Sequence, residues 1–176
     1  MYMAPRVDAG EIILQRETQI RPDDTAGSLS DRLSGMGAEL LIDTLELIER
    51  GEAPRMPQEG GSSYARKLKK ADGQIDWTET TRKVLDLIRG MTPWPGAYTC
   101  YGDRTLRIER AEQGERTGGR PGEILALEGG AIEVATADGS VRLLEVCPEG
   151  RCSMLADDFA RGYRPVVGTC PFRAPE

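Results

Sequence analysis

A helix that is forced to stop constrains this chain most. Thr80 or Thr81 can cap it, Val84, Leu85, Leu87 and Ile88 give it one apolar face, and Arg89-Gly90 suits its last turn. Pro93-Trp94-Pro95-Gly96 follows at once. Proline fixes φ, lacks an amide donor and disfavours helical backbone in the residue before it, so the helix cannot run on. An Ile75-Asp76-Trp77 entry, a short helix and a rigid exit into a strand are therefore expected. The pattern after this unit is β and the pattern before it is not, so the unit divides the chain.

Beyond Gly96 the strand signals are regular. Residues 97–101 and 104–109 read as two strands turned at Gly102-Asp103, the second with Leu106 and Ile108 alternating. Pro121-Gly122 opens a third strand over 123–127, and Gly129-Gly130 turns into a fourth over 131–135. Asp138-Gly139 is a strong hairpin signal into a fifth over 141–146. Five short strands at this spacing predict a small barrel. A helical turn over 154–161 closes it, and Gly168 lies in a short tail.

The N-terminal side reads differently. Val7-Asp8-Ala9-Gly10 is a tight loop, and Ile12-Ile13-Leu14 with Thr18 and Ile20 predicts one or two buried strands. Asp23-Asp24-Thr25 starts a helix with Asp or Thr as N-cap, and helical spacing from Leu29 to Ile48 carries it about six turns to Arg50-Gly51. Gly35 and Gly37 weaken its middle and mark a close packing contact or a bend. One such helix after one or two strands cannot bury its own face, so this side is expected to need a partner or a further N-terminal part. Residues 52–63, with Pro54, Pro57, Gly60, Gly61, Ser62 and Ser63, read as a linker.

Charge separates the same regions. Residues 1–60 carry 6 basic and 12 acidic side chains, whereas residues 61–176 carry 17 of each. A net charge of −6 speaks against nucleic acid for the chain as a whole, but local clusters govern phosphate contacts. Tyr64-Ala65-Arg66-Lys67-Leu68-Lys69-Lys70 is such a cluster, directly after the linker. Alone it reads as a solvated charge run; its place suits a phosphate backbone entering there. Cys100, Cys147, Cys152 and Cys170 form no Cys-x-x-Cys pair and the chain has no histidine, so reduced thiols in a cytoplasmic protein are expected and no metal site is. No run approaches the ~20 apolar residues of a membrane span, and the N-terminus has no apolar signal core.

Several stretches, in order, resemble the methionyl-tRNA formyltransferases. They are residues 7–14, the helix start at Asp24-Thr25, Tyr64 to Leu68, Gly73-Gln74-Ile75-Asp76-Trp77, Arg89 to Ala97, Asp138-Gly139 with Leu143-Leu144, and Gly150-Arg151 through Met154 to Gly162. The resemblance runs nearly end to end. It implies an α/β fragment, residues 1–51, that ends a Rossmann-like formyltransferase domain. A linker with the basic segment, 52–73, and a mainly-β, OB-like open barrel, 74–176, follow. It implies formyl transfer from 10-formyltetrahydrofolate to the amino group of initiator Met-tRNA in translation initiation, without a metal, by proteins that are usually monomeric.

The family's catalytic set is an Asn-x-His pair and an aspartate in a loop that Asp8 matches. By resemblance Asp8 is catalytic, and the backbone of Val7, Asp8 and Ala9 also contacts the folate. Alone, Asp8 reads as a turn aspartate before Gly10. Because these residues include no histidine, the chain by itself is expected to be inactive. Arg66, Lys67, Lys69, Lys70 and Arg151, with Arg161, are expected to face tRNA. Cys152 stands where relatives often carry a second basic residue. Trp77 and Trp94 are expected to be core anchors rather than stacking platforms. Two other readings stay open: a stand-alone tRNA- or RNA-binding module, and the C-terminal part of a sugar-nucleotide formyltransferase.

Overall fold

The computed structural model describes residues 1–61 and 63–173. Ser62, expected in the linker, lies outside them. The chain divides into two compact units, Met1–Lys67 and Leu68–Glu176.

The first unit is built on helix α1, Ala26–Glu49. Thr25 is its N-cap: its hydroxyl accepts from the Ser28 amide at 3.1 Å while Ser28 Oγ accepts from the Thr25 amide at 2.9 Å. Two otherwise orphaned donors are thereby satisfied. Gly51, in the left-handed region at φ 70°, ends the helix. Gly35 and Gly37 mark no close approach, since a Cβ on either would meet nothing within 4 Å. The strand expected over 12–20 does not form. Only Ile12 pairs, antiparallel to Met56, with Ile12 N–H donating to Met56 O at 2.8 Å and Met56 N–H to Ile12 O at 3.0 Å. The residues after it are tied to α1 by side chains instead: Arg16 donates to Glu39 at 2.9 Å, and Arg32 donates to Gln19 O at 2.9 Å and to Asp24 Oδ1 at 2.8 Å. No second strand among the described residues of this unit offers these amides a ladder, and an amphipathic pattern without a partner strand stays irregular.

The second unit is an antiparallel sheet with helices packed on it. Its strands are β1 Ala97–Tyr101, β2 Arg104–Gln113, β3 Ile124–Glu128, β4 Ala131–Ala135, β5 Ser140–Pro148, β6 Met154–Leu155 and β7 Phe172–Arg173. The order is β3-β4-β5-β2-β1-β7, with β6 also on β5. Helix α2, Thr81–Met91, is capped by Thr80 and runs through Gly90 to the prolines; α3, Ala156–Tyr163, follows β6. Both X-Pro bonds around Trp94 are cis. Segment 168–173 links the two ends of the sheet. Gly168 N–H donates to Ile124 O of β3 at 2.8 Å, Ile124 N–H donates to Thr169 O at 2.9 Å, and β7 pairs with β1.

The core gathers Ile75, Trp77, Val84, Ile88, Ile108, Ile132, Leu143, Val146 and Phe159. The apolar face read for α2 is therefore the face that packs, with Val84 and Ile88 buried. Trp77 is 4% exposed and its indole N–H donates to Thr99 Oγ1 at 3.0 Å. Trp94 is 60% exposed, which corrects its assignment as a core anchor. The prolines that stop α2 also carry residue 94 away from the apolar face, so its ring stays in solvent.

Candidate nucleic-acid interface

In the second unit, three close approaches shape one cleft. The 3-10 turn Lys70–Gly73 lies on the exit of α2 because Gly73 has no side chain: a Cβ there would sit 2.0 Å from Gly96 O. Ile75 N–H then donates to Tyr98 O at 2.8 Å and fixes this turn beside β1. Gly96, at φ 88°, lies under the stem of Arg107, whose Cδ would be 2.6 Å from a Cβ at that position. The β1–β2 register places Arg107 opposite Tyr98. The bend after β5 brings in the third side, where Gly150 is left-handed at φ 70° and Arg151 N–H donates to Pro148 O at 3.0 Å.

The result is a cleft of about 550 Å³ lined by Lys70, Tyr98, Arg107, Cys147, Gly150 and Arg151, among others. Two residues expected from sequence, Lys70 and Arg151, thus meet across it although 81 positions separate them in the chain. Arg107 was not anticipated; nothing in the sequence tells which strand arginine faces a cleft. Its Nε donates to Glu109 Oε1 at 3.0 Å. Burial would raise the Glu109 pKa, but the Ser153 hydroxyl and the Arg107 guanidinium outweigh it and hold the carboxyl below its usual range.

Pairing decides which cations are available. Among the described side chains of this unit, Arg82, Lys83, Arg89, Arg110, Arg116, Arg120, Arg142 and Arg161 all face carboxylates. Arg161 bonds Asp157 at 2.8 Å and also Asp158, so its charge is spent on its own helix. Lys69, Lys70, Arg104, Arg151 and Arg164 have no carboxylate partner among the described residues. An unpaired cation keeps its field for an outside anion, whereas a paired one is largely cancelled.

The first unit holds the other expected residues. Arg66 and Lys67 are exposed at its end, Arg66 Nη1 donating to Lys67 O at 3.2 Å. The Asp8 loop is clasped by residues 55–58. Gln58 Nε2 donates to Asp8 O at 3.0 Å and to Gly10 O at 2.7 Å, and Arg55 donates to Glu11 at 2.6 Å while lying 4.0 Å from the Tyr2 ring centroid. Asp8 sits at φ 54°, a left-handed conformation that aspartate tolerates better than most residues. Val7, Asp8 and Ala9 are all exposed, Val7 at 89%. Gln58 was missed because a polar residue between Pro57 and Gly60 carries no signal of its own. All four cysteines are free, and no helix is long and apolar enough to cross a membrane among the described residues. Among those residues no group of three His, Cys, Asp or Glu side chains could hold a metal ion.

Comparison with known proteins agrees with this architecture. The chain is 44% identical over 171 residues to the methionyl-tRNA formyltransferase of Syntrophus aciditrophicus (strain SB), covering 96% of this chain and 55% of that protein. It is 42% identical over 164 residues to the methionyl-tRNA formyltransferase of Pelotomaculum thermopropionicum, covering 92% and 52%. The chain therefore spans about half the length of the curated relatives it matches. Among solved structures, HypX from Aquifex aeolicus in complex with tetrahydrofolic acid has a TM-score of 0.71 at 23% identity, over 93% of this chain and 29% of that one. A multiple variant of the same protein scores 0.73 at 23% identity, over 94% and 30%. At that identity the likeness is one of fold. Residues 67–164, more than half of the chain, match the model described as formyl transferase, C-terminal domain, and the chain belongs to that family.

Proposed function

We propose that this chain serves methionyl-tRNA formyl transfer, with residues 74–176 and the basic segment before them as its tRNA-binding part. One observation carries the reading: Lys70 and Arg151, both without carboxylate partners among the described residues, line a single cleft with Arg107. Cations in a groove, most of them unneutralised, suit a phosphate backbone better than a small apolar ligand. On this reading residues 74–176 form an OB-like barrel, 52–73 a linker with a basic segment, and 1–51 the end of a Rossmann-like formyltransferase domain. Arg66, Lys67, Lys69 and Lys70 of the basic segment also contact phosphates on this reading. The compartment is the one where translation starts, the cytoplasm.

The chemistry assigned to the first unit is narrower. In the proposed reaction the methionine amine attacks the formyl carbon of 10-formyltetrahydrofolate, a C–N bond forms, and the bond to folate N10 breaks. The amine loses a proton and tetrahydrofolate leaves protonated at N10. Asp8 relays that proton, and the exposed backbone of Val7 to Ala9 lies along the folate. The tetrahedral oxyanion also needs preorganised donors, which the family draws from an Asn-x-His pair. Residues 1–176 contain no histidine, so by themselves they are expected to transfer no formyl group. A mobility-shift titration of the chain with initiator tRNA at low salt tests the binding role. A shift that disappears as salt is raised is expected, and no shift at low salt contradicts the proposal. Formyl-Met-tRNA produced by the isolated chain would overturn the account of the first unit.

A further inference from the structure

A second cleft adjoins the basic one. It has a volume of about 290 Å³ and is walled by Tyr101, Phe159 and Tyr163, with Arg104 at its rim. Thr105 and Pro148 line both clefts, so the aromatic one opens beside the cationic one. Its rings are fixed by one another. Phe159 and Tyr163 stack at 4.3 Å and 11°, and Tyr101 meets Phe159 edge-on at 5.2 Å and 82°. Tyr101 and Tyr163 are only partly buried, whereas Phe159 is 1% exposed. Arg104 is exposed and lacks a carboxylate partner among the described residues, while Asp103, the acid of this cleft, already has an interaction.

We propose that this aromatic cleft receives one unpaired nucleobase of the RNA whose backbone lies on Lys70, Arg107 and Arg151. The inference rests on the RNA-binding reading above and specifies what that RNA must present. A base paired inside a duplex exposes only its edge, but an unpaired one offers a flat π-face that pre-set rings can hold. The volume lies just below that of pockets for drug-sized ligands, about 300 Å³ and up, and so suits a fragment such as a base. Arg104 then faces the phosphate of that nucleotide, and the shared wall at Thr105 and Pro148 lets the strand pass directly onto the basic cleft. Stacking tolerates any base, so no strong sequence preference is expected.

The test compares two labelled RNAs with the 176-residue chain at low salt: a blunt hairpin, and the same hairpin with a short single-stranded 3′ extension. Stacking of one base predicts about 5- to 150-fold tighter binding of the extended RNA. Tyr163→Ala should erase that preference and leave blunt-hairpin binding intact, while Tyr163→Phe should keep the preference. Arg104→Ala, at an exposed position, folds normally and should reduce the preference by weakening the extended RNA alone. Equal binding of both RNAs by the unaltered chain overturns the inference. So does a preference unchanged in Arg104→Ala or surviving in folded Tyr163→Ala. Failure to bind either RNA instead overturns the RNA-binding reading itself.

Discussion

Trp77 and Trp94 flank one short helix and have opposite surroundings. Trp77 is packed in the core with its N–H satisfied by Thr99, so Trp77→Ala should cost about 3–5 kcal/mol in denaturant unfolding. Trp94 lies in solvent, and Trp94→Ala should change stability by less than about 0.5 kcal/mol. Glu133 is a third informative residue because it is a buried carboxylate, 6% exposed, in an otherwise apolar strand. Its Oε1 accepts from the Ser140 hydroxyl at 2.6 Å and from the amides of Glu115 and Arg116 at 3.1 and 2.9 Å, and Arg116 Nε approaches Oε2 at 3.2 Å. Burial pushes its pKa up, but the Ser140 and Arg116 donors prevail and it ends below its usual range. A carboxyl whose pKa is lowered by folding contributes stability above its unfolded value, near 4.3, and loses it as pH falls through the lower folded value. Thermal melts should therefore show a loss below about pH 4. In Glu133→Gln that acid slope should be shallower, since the amide oxygen still accepts but carries no charge. Glu133→Ala strands several donors and should cost about 1–3 kcal/mol at neutral pH.

Elements show where the sequence could and could not be read. Helices α1 and α2 were legible because capping residues and 3.6-residue spacing are local, and Thr25 and Thr80 cap as expected. Strand pairing was less so. The Asp138-Gly139 turn marked the β4–β5 hairpin, yet the two-residue strands β6 and β7 had no signal, because they exist only through their partners β5 and β1. The 12–20 strand failed for the converse reason: the pattern was present and the partner was not. The Asp138 turn also holds α2. Its Oδ1 accepts from the Thr81 amide at 2.7 Å and from the Thr81 hydroxyl at 2.9 Å, and these bonds, the amide first, lower its pKa. Asp138→Ala should lower Tm by freeing the first turn of α2, with its effect fading in acid as the wild-type carboxyl protonates. Helix α1 has no buried residue, and Leu33, Leu41, Ile42, Leu45 and Ile48 are each 46–60% exposed. A face of that kind promotes association. Light scattering should detect self-association or aggregation that Leu41→Glu with Leu45→Glu reduces; a monodisperse unaltered chain would count against this reading of α1.

At the scale of the molecule, the two units differ in what they can do unaided. The unit 68–176 has its own core, a sheet whose ends are linked by segment 168–173, and a cleft where cations gather. Lys70 and Arg151 were legible in the sequence as candidate cations, but their meeting with Arg107 in one cleft was not. Lys70, Arg107 and Arg151 come from a turn, a strand and a bend, and only packing around Gly73 and Gly96 brings them to one place. The unit Met1–Lys67 instead presents an exposed Asp8 loop and a helix with no buried residue. In the proposed reading, binding belongs to the second unit and runs through phosphate contacts. The most direct test is the salt dependence of tRNA affinity for the 176-residue chain and for Lys70→Ala and Arg151→Ala. A log–log plot should fall steeply for the unaltered chain, and each variant should reduce the slope by about 0.7–0.9. Unaltered slopes in both variants, or an affinity indifferent to salt, would contradict the account.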